Sequence, residues 1–384
     1  MISYTDRFKI TPLSMFEYLD RHVSGQKEAK TALSNVCYNG FLKSLSYKLY
    51  GKDKLNKFPV LFIGPTGCGK TYLIDTVSSF LTAPVYTVDA STICATGYSS
   101  NGGVNIKGVI EEYVGKCCGM ALEFCENAHI DHGVSIYDLD TEFDSILNTF
   151  IMNGLLVFDE FDKLSELNDG SSQRKYNAQV QDNFLRVIEN EEFEVDLKHI
   201  STFPAHKSFT IKSSMIPMIF IGAFSYLRKD KEAKESKRSL GFVGRETEKK
   251  SQITKKDLSE NGFKEELLGR IGAIVTLDFL SEGDLKNILL NVENSIISQY
   301  RIIYGLHNKK LMFDDSVVEA AITEAKKTGL GARELKSFLT QQFQDLLFNL
   351  PETEVESDEP EIVTVFFRDG KLVEETERVK LNEK

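Results

Sequence analysis

The sequence lacks three features that are typical of membrane proteins, secreted proteins and small proteins stabilised by zinc or disulfides. No apolar run approaches the roughly 18 residues that a helix needs to span a bilayer. The N-terminal MISYTDRFKITPLSMF has none of the basic, apolar and small-residue regions of a secretory signal peptide. The six cysteines include no C-x-x-C pair, which excludes a standard zinc ribbon and gives no sign of a disulfide framework. We therefore expect a cytoplasmic protein that makes no membrane contact.

One group of possible metal ligands lies in the middle of the chain. Cys117, Cys118, Cys125, His129 and His132 fall within sixteen residues and include a C-x3-H-x2-H spacing. Zinc sites usually space their ligands as C-x2-4-C and H-x3-5-H, which this pattern fits poorly. We expect buried thiols on an amphipathic helix instead of a metal site.

Charge and length bound the partners and the number of domains. The formal net charge is −11 at pH 7, which argues against a large nucleic-acid footprint, although a local basic channel could survive within an acidic total. The 384 residues exceed what most single cores hold, so two domains are expected.

Continuous apolar runs alternate with helical periodicity over the first two thirds of the chain. Such runs are typical of strands that are buried on both faces, and strands that alternate with helices indicate a parallel sheet flanked by helices. In the helical stretch QVQDNFLRVIENEE, Val180, Phe184, Leu185 and Ile188 share one face. The predicted strands are FPVLFIG (58–64), PVYTVDA (84–90), GLLVFDE (154–160), IPMIFIGAF (216–224) and AIVTLDF (273–279).

The pattern changes after Phe279. Residues 281–350 are predicted to be helical, beginning with Ser281 as an N-cap followed by acidic residues. The segment EIVTVFFRDGKLVEE predicts two short strands around an Asp-Gly turn. We therefore predict an α/β domain over residues 1–279 and a smaller, mainly helical domain over 280–384 that ends in a hairpin.

The strongest motif is GPTGCGKT, which matches G-x-x-x-x-G-K-[ST] directly after a predicted strand and before the helical TYLIDTVSSFL. These flanks disfavour a chance glycine-rich turn. The glycines allow backbone N–H groups to wrap around phosphates, Lys70 is expected to reach the β and γ phosphates of ATP, and Thr71 to bind Mg²⁺. The residues predicted to bind nucleotide are Gly64, Pro65, Thr66, Gly67, Cys68, Gly69, Lys70, Thr71 and Asp159.

A second motif, LLVFDEFDK, carries paired carboxylates at the end of a predicted strand. Asp159 is expected to be a Mg²⁺ ligand, and Glu160 to polarise the water that attacks the γ phosphate. A kinase that acts on a small molecule could use the same phosphate loop. The adjacent acid Glu160, with Arg270 in ELLGR and Arg333 in GAREL, favours an ATPase, although either arginine taken alone would be an ordinary surface residue.

GPTGCGKT, VFDEFDK, ELLGR and GAREL, in this order and with a helical C-terminal domain, resemble AAA+ ATPases, and specifically the ClpX family. The resemblance extends from about Arg21, where HVSGQKEAK is similar to the adenine-side segment of the family, to about Pro351. It implies a homo-hexameric ring with ATP bound between subunits. It also implies that Arg270 is the arginine finger that reaches a neighbour's γ phosphate, and that Arg333 is the sensor in the small domain.

Two further segments acquire an interpretation from this resemblance. Gly97 and Tyr98 lie where the family carries an aromatic pore loop that grips an extended polypeptide. Leu240, Gly241 and Phe242, inside an otherwise charged stretch, fit the aliphatic-Gly-Phe loop that docks the family on the ClpP peptidase. The resemblance thus implies unfolded or tagged protein substrates and a ClpP-type peptidase as partners.

The chain departs from the family pattern at five places. The family's N-terminal zinc-binding module has no counterpart in these residues, and the pore loop reads Gly-Tyr-Ser-Ser, with Ser99 and Ser100 expected to weaken the grip. Ser24 replaces an aliphatic residue beside the adenine, and an insertion lies at about 125–150. We assign no first sensor after Phe224, because no evident polar residue closes GAF.

Three functions remain open on these grounds. The first is an ATP-driven unfoldase and translocase that delivers substrates to a ClpP-type peptidase. The second is a remodeller of protein complexes that works without a peptidase. The third is a nucleic-acid motor on the same core, which the acidic charge and the Tyr98 loop disfavour. The Leu240–Phe242 loop favours the first over the second.

Overall fold

A computed structural model describes residues 8–52, 54–94, 103–165, 171–197, 208–227, 253–353 and 361–377. These residues divide into two compact units. The first unit contains the described parts of Met1–Phe16, Lys27–Gly64 and Ile74–Leu277, and the second contains those of Glu17–Gln26, Pro65–Leu73 and Asp278–Lys384. No helix in the described ranges is both long enough and apolar enough to cross a membrane.

The helices and strands follow one another in the order that the apolar pattern predicts, with additions. In chain order they are α1 (Pro12–His22), α2 (Lys27–Tyr50), β1 (Val60–Ile63), α3 (Lys70–Phe80), β2 (Val85–Asp89), α4 (Ile106–His132), α5 (Ile136–Asn153), β3 (Leu155–Asp159), α6 (Ser171–Ile188), β4 (Glu192–Asp196), β5 (Ser208–Lys212), β6 (Met218–Gly222), α7 (Lys255–Glu260), α8 (Glu265–Arg270), β7 (Ala273–Thr276), α9 (Glu282–Leu290), α10 (Ile296–Leu306), β8 (Lys309–Phe313), α11 (Asp315–Thr328), α12 (Ala332–Asn349), β9 (Glu361–Arg368) and β10 (Lys371–Glu377).

A five-stranded parallel sheet in the order β2-β3-β6-β1-β7 forms the core of the first unit. Every residue of β1 and β6 is buried, because these strands have neighbours on both sides and helices over both faces. The five strands coincide with the five predicted apolar runs. The parallel sheet flanked by helices confirms the predicted α/β class.

Aromatic side chains support the carboxyl end of β3. Phe158 stacks on Phe220 of β6 at a centroid distance of 5.4 Å and meets Phe184 of α6 edge-on at 4.8 Å. Phe161, just beyond β3, packs against the same Phe220 at 4.7 Å. All four rings are fully buried, so the turn that follows β3 is held by packing from two neighbouring elements.

The insertion predicted near 125–150 forms part of a pair of helices. α4 has 27 residues and ends at His132; the next residue, Gly133, has a φ of 64°, which is the left-handed conformation of a helix C-cap. α5 has 18 residues and packs against α4. Cys117, Cys118 and Cys125 are buried in the core between them and the sheet, as expected for structural thiols.

A two-stranded antiparallel sheet of β4 and β5 was not among the sequence predictions. Both strands alternate buried and exposed residues, which is typical of a hairpin with one face against the core.

The second unit contains α9 to α12 and a three-stranded sheet in the order β10-β9-β8. Ser281 caps α9 through a capping box with Asp284, as the sequence predicts. β9 and β10 form the predicted hairpin, with Asp369 and Gly370 both at positive φ in its turn. The prediction that residues 281–350 are all helical was wrong at Lys309–Phe313, which forms β8 and pairs in parallel with β9.

Two of the predicted functional segments lie outside the described residues. These are the pore-loop residues Gly97 and Tyr98 and the docking residues Leu240, Gly241 and Phe242.

Candidate nucleotide-binding and hydrolysis site

The carboxyl-terminal edge of the parallel sheet gathers the first candidate residues. β1 and β3 end at this edge with β6 between them, so Gly64, which follows β1, and Asp159, the last residue of β3, lie at the ends of strands that point the same way. The Gly64 backbone N–H donates to the carbonyl oxygen of Gly222 at the end of β6, with an N to O distance of 3.2 Å. In open parallel sheets, ligands bind at this edge.

The two acidic residues of VFDEFDK have different environments. The Asp159 carboxylate accepts a hydrogen bond from the Glu160 backbone N–H at 2.8 Å. Glu160 has a φ of 56°, and its side chain, 44% exposed, forms an ion pair with Lys163. This contact with Glu160 is the first cause of a raised pKa at Lys163. Asp159 is therefore held at the strand end, whereas Glu160 projects towards solvent.

Negative charge accumulates beside Asp159 in the first unit. Burial, and secondly the negative charge of Asp159, raise the pKa of Asp75 on α3. The effect means that the two carboxylates share a negative potential, which favours a bound cation. Carboxylate and hydroxyl oxygens, such as those of Asp159 and Thr71, are the donors that Mg²⁺ prefers. The residue types therefore fit a magnesium nucleotide.

The phosphate loop continues from Gly64 into the second unit. Gly67 and Gly69 have φ values of 77° and 98°, which other residues rarely adopt, and this is why the motif requires glycine there. α3 begins at Lys70, so the N–H groups of its first turn follow the loop directly. The Lys70 ammonium donates to the carbonyl oxygen of Pro65 at 2.8 Å, across the loop.

The segment HVSGQ also contacts this loop within the second unit. The Gln26 side-chain amide donates to the carbonyl oxygens of Cys68 at 3.3 Å and Asp278 at 2.8 Å. The Ser24 hydroxyl donates to Asp284 on α9 at 3.0 Å and accepts from Asn287 at 3.1 Å. The serine that replaces an aliphatic residue is therefore engaged by α9.

Arg333 lies in the first turn of α12, next to residues that touch the phosphate loop. The Ala332 backbone N–H donates to the carbonyl oxygen of Gly67 at 3.2 Å. A Cβ atom at Gly67 would overlap the carbonyl oxygen of Leu330. The Arg333 side chain itself lines an open groove along α12 with Lys336 and Thr340. Arg333 therefore directly follows Ala332, the residue whose N–H contacts the phosphate loop.

Arg270 lies at the amino-terminal end of the parallel strands, whereas Asp159 lies at their carboxyl-terminal end. β7 runs parallel to β1 with Ala273 opposite Val60, and α8 ends at Arg270, just before β7 begins. A strand of four residues spans about 13 Å. Arg270 is 57% exposed and forms an ion pair with Glu189, with an Nη2 to Oε1 distance of 2.6 Å. Within the first unit, the structure does not bring Arg270 together with Asp159 and Glu160.

Cys118 and Cys125 of the candidate metal-ligand group are not reactive thiols. Burial raises the pKa of Cys118 to about 11 and that of Cys125 to about 12, so both stay protonated at neutral pH. Over the described ranges, three or more histidine, cysteine or carboxylate side chains do not come together in a way that could hold a metal ion.

Sequence reasoning missed two residues that organise the turn after Glu160. Asp162 accepts hydrogen bonds from the backbone N–H groups of Ala223 and Phe224, and Gln181 bonds both Leu164 and Lys264. Asp162 stands inside VFDEFDK, so proximity to the motif was a usable signal. Gln181 lies on α6, and the sequence pattern did not indicate that its polar side chain is buried.

Comparison with known proteins identifies the family. Residues 60–224 match the model of the ATPase family associated with various cellular activities (AAA). The chain is 30% identical over 352 residues to the ATP-dependent Clp protease ATP-binding subunit ClpX of Treponema denticola, covering 89% of this chain and 77% of that protein. This alignment is too long to be confined to either unit. The phosphate loop, the paired acids and the likeness over most of both chains have one explanation: the chain belongs to the ClpX family of AAA+ ATPases.

Proposed function

We propose that this ATPase works as a ring hexamer that unfolds proteins, translocates them, and delivers them to a ClpP-type peptidase in the cytoplasm. Membership of the ClpX family supports an unfoldase role in general. The hexamer, the peptidase and the substrates are our inferences from that membership.

The observation that carries the proposal is the position of Arg270. It lies at the edge of the sheet opposite Asp159, so it cannot serve the γ phosphate at the carboxyl edge of its own sheet. It is exposed, and its ion pair with Glu189 is of the surface type that contributes little to stability. Such an arginine is free to exchange its partner for a phosphate on another subunit. A site completed by a second copy of the chain explains why hydrolysis would require a ring.

Within each site, the motif residues have separate roles in ATP hydrolysis. Lys70 and the loop N–H groups bind the β and γ phosphates, and Glu160 orients the attacking water and accepts its proton. Thr71 and Asp159 would hold the Mg²⁺ of the nucleotide, which when bound neutralises charge on the phosphates. Arg270 of a neighbour stabilises the charge of the transition state, and Arg333 couples nucleotide to movement of the helical domain.

Two loops would connect ATP turnover to protein substrates. Gly97 and Tyr98 grip the polypeptide by packing, and Leu240, Gly241 and Phe242 dock the peptidase. One Leu240–Phe242 segment on each subunit adds avidity around a ring, because several weak contacts together give stable docking.

The decisive experiment is degradation of a tagged, stable protein by this chain, ATP and a ClpP-type peptidase. The wild-type chain is expected to degrade the substrate, Tyr98→Ala to hydrolyse ATP without unfolding it, and Phe242→Ala to unfold it without degradation. Unfolding by the wild type with no peptidase binding would support a remodeller instead. ATPase activity that is stimulated by DNA and not by protein would favour a nucleic-acid motor.

A further inference from the structure

The turn that carries Glu160 is tied to the end of β6 by one carboxylate. Phe161–Leu164 forms a short 3-10 turn directly after Glu160. Within it, Asp162 Oδ1 accepts from the backbone N–H of Ala223 at 3.1 Å, and Oδ2 accepts from that of Phe224 at 3.2 Å. Both carboxylate oxygens therefore accept from two successive backbone N–H groups, which directly follow β6.

These two backbone groups belong to a segment with an unusual conformation. Phe224 has a φ of 47° and a fully buried side chain, a combination that is strained for a bulky residue. Its ring lies so close to Gly222 that a Cβ atom there would overlap it, and such an atom would also lie 3.0 Å from the backbone nitrogen of Asp162. Hydrogen bonds from Ala223 and Phe224 to a charged acceptor stabilise this crowded turn.

The same segment touches the beginning of the phosphate loop. The carbonyl oxygen of Gly222 accepts the hydrogen bond from the Gly64 backbone N–H at 3.2 Å. A continuous path of contacts thus runs from Glu160 through Asp162 to the end of β6, and from there to Gly64. The path lies entirely within the first unit.

We propose that Asp162 is a positioning residue for ATP hydrolysis, which holds the Glu160 turn in place relative to Gly64, the first residue of the phosphate loop, by bracing the end of β6. This inference rests on the proposed role of Glu160. Two acceptor oxygens are required, because an amide at position 162 would turn an N–H donor towards a backbone N–H. Displacement of a water-orienting group by about 1 Å can lower a rate by about 100-fold.

A purely structural role for Asp162 predicts a different result. Loss of a structural residue lowers the stability of the fold but leaves the turnover of each folded molecule unchanged. Loss of a positioning residue lowers kcat of the folded protein while nucleotide affinity persists, because Lys70 and the phosphate loop are untouched.

The test compares Asp162→Asn and Asp162→Ala with Asp131→Asn, an exposed aspartate on α4. Measurements are kcat and KM for ATP, the dissociation constant of a fluorescent ATP analogue, and Tm. We expect kcat to fall at least about tenfold in Asp162→Asn and further in Asp162→Ala, with nucleotide affinity within about threefold of the wild type. Asp131→Asn should match the wild type throughout.

Wild-type kcat in folded Asp162→Asn, or a loss of rate that only follows the loss of folded protein, would overturn the proposal. If Asp162→Ala does not fold, Asp162→Asn decides. Glu160→Gln in the same assay separates the two levels of inference. Continued hydrolysis by Glu160→Gln refutes the role of Glu160, whereas an inactive Glu160→Gln beside a fully active Asp162→Asn refutes only the positioning role.

Discussion

Glu160 and Phe224 hold left-handed backbone conformations at two neighbouring strand ends. Their φ values of 56° and 47° are uncommon for residues with a Cβ, and each is supported by packing or hydrogen bonds from other elements. Strain of this kind persists where the surrounding structure imposes it, often at functional sites. At Glu160 this conformation turns the chain sharply. The Glu160 carboxylate therefore has a different hydrogen-bond partner from the adjacent Asp159 carboxylate.

Replacement of Glu160 by glutamine is expected to stop turnover and to spare nucleotide binding. The amide keeps the size of the side chain but cannot accept a proton from water, and general base catalysis is worth about 100-fold or more. Steady-state hydrolysis and binding of a fluorescent ATP analogue measure the two effects. Lys70→Ala is the contrasting control, because it should abolish binding itself. Near-normal hydrolysis by Glu160→Gln would show that another group activates the water.

Lys57 is a partly buried cation at the amino-terminal edge of the sheet. Its ammonium donates to the carbonyl oxygens of Val187 at 3.0 Å and Ser213 at 2.9 Å. Burial, and then the positive charge of Lys43, lower the pKa of Lys57 well below 10.5. The unfolded chain therefore binds more protons than the folded one between the lowered pKa and the ordinary value.

This difference predicts how stability depends on pH. Relative to Lys57→Met, the wild type should gain unfolding free energy as pH rises from the lowered pKa of Lys57 towards 10.5, with a slope of at most about 1.4 kcal/mol per pH unit. Denaturant titrations at several pH values measure it. Lys52→Met, at an exposed lysine, is the matched control and should run parallel to the wild type. Parallel curves for Lys57→Met as well would mean that the pKa of Lys57 is not lowered.

Among the elements, α6 links the turn after Glu160 to the helix that ends at Arg270. The buried Gln181 amide donates to the carbonyl oxygens of Leu164 at 2.8 Å and Gly262 at 2.9 Å, and its oxygen accepts from the Lys264 backbone N–H at 2.9 Å. Lys264 is the N-cap of α8. The Gln181 side chain therefore connects the segment after Glu160, the candidate base, with the start of α8, the helix that ends at Arg270.

Gln181→Ala should weaken both the fold and the ATPase. It leaves one buried and two partly buried backbone groups without this partner, which is expected to reduce the unfolding free energy by about 2 kcal/mol or more. Hydrolysis by the remaining folded protein should also fall, since α8 loses its anchor, while nucleotide affinity persists. Thermal unfolding, turnover and nucleotide binding provide the readouts. Gln179→Ala, at an exposed position on the same helix, should change none of them. Equal effects at both positions would remove any special role for Gln181.

For the assembled protein, the position of Arg270 is the feature with the largest consequence. In the proposed arrangement, in which a neighbouring subunit completes the active site, the ATPase would be a property of the assembly. Charge stabilisation by an arginine from a neighbour is worth about a thousandfold or more in phosphoryl transfer. The isolated chain would bind ATP and turn it over slowly.

Mixed assemblies test this arrangement directly. Arg270→Ala alone should assemble and bind nucleotide but hydrolyse at a small fraction of the wild-type rate. Mixing it with Glu160→Gln subunits should restore part of the activity, since some interfaces then pair an intact Glu160 with an intact Arg270. Mixing two batches of Arg270→Ala is the control and should restore nothing. Failure of the mixed rings to recover would indicate a site completed within one subunit.

The sequence pattern was sufficient for the parallel sheet and for the motif residues. Strands β1, β2, β3, β6 and β7 are apolar runs whose burial follows from composition, and the phosphate loop and paired acids are contiguous in the chain. Local information was enough because each of these features depends on neighbours in sequence: glycines that reach positive φ, a strand that ends in carboxylates, a serine that caps its own helix.

The short strands and the supporting contacts depended on neighbours that are distant in sequence. β8 contains a buried lysine, Lys309, which is compatible with burial because Glu361 on β9 lies 3.6 Å away. Asp162 and Gln181 acquire their roles from backbone groups about 60 and 83 residues further along the chain. Which edge of the sheet carries Arg270 likewise follows from strand order and direction. Folding brings these groups together because buried polar atoms must find partners wherever the topology places them, and the linear pattern of residue types does not contain that pairing.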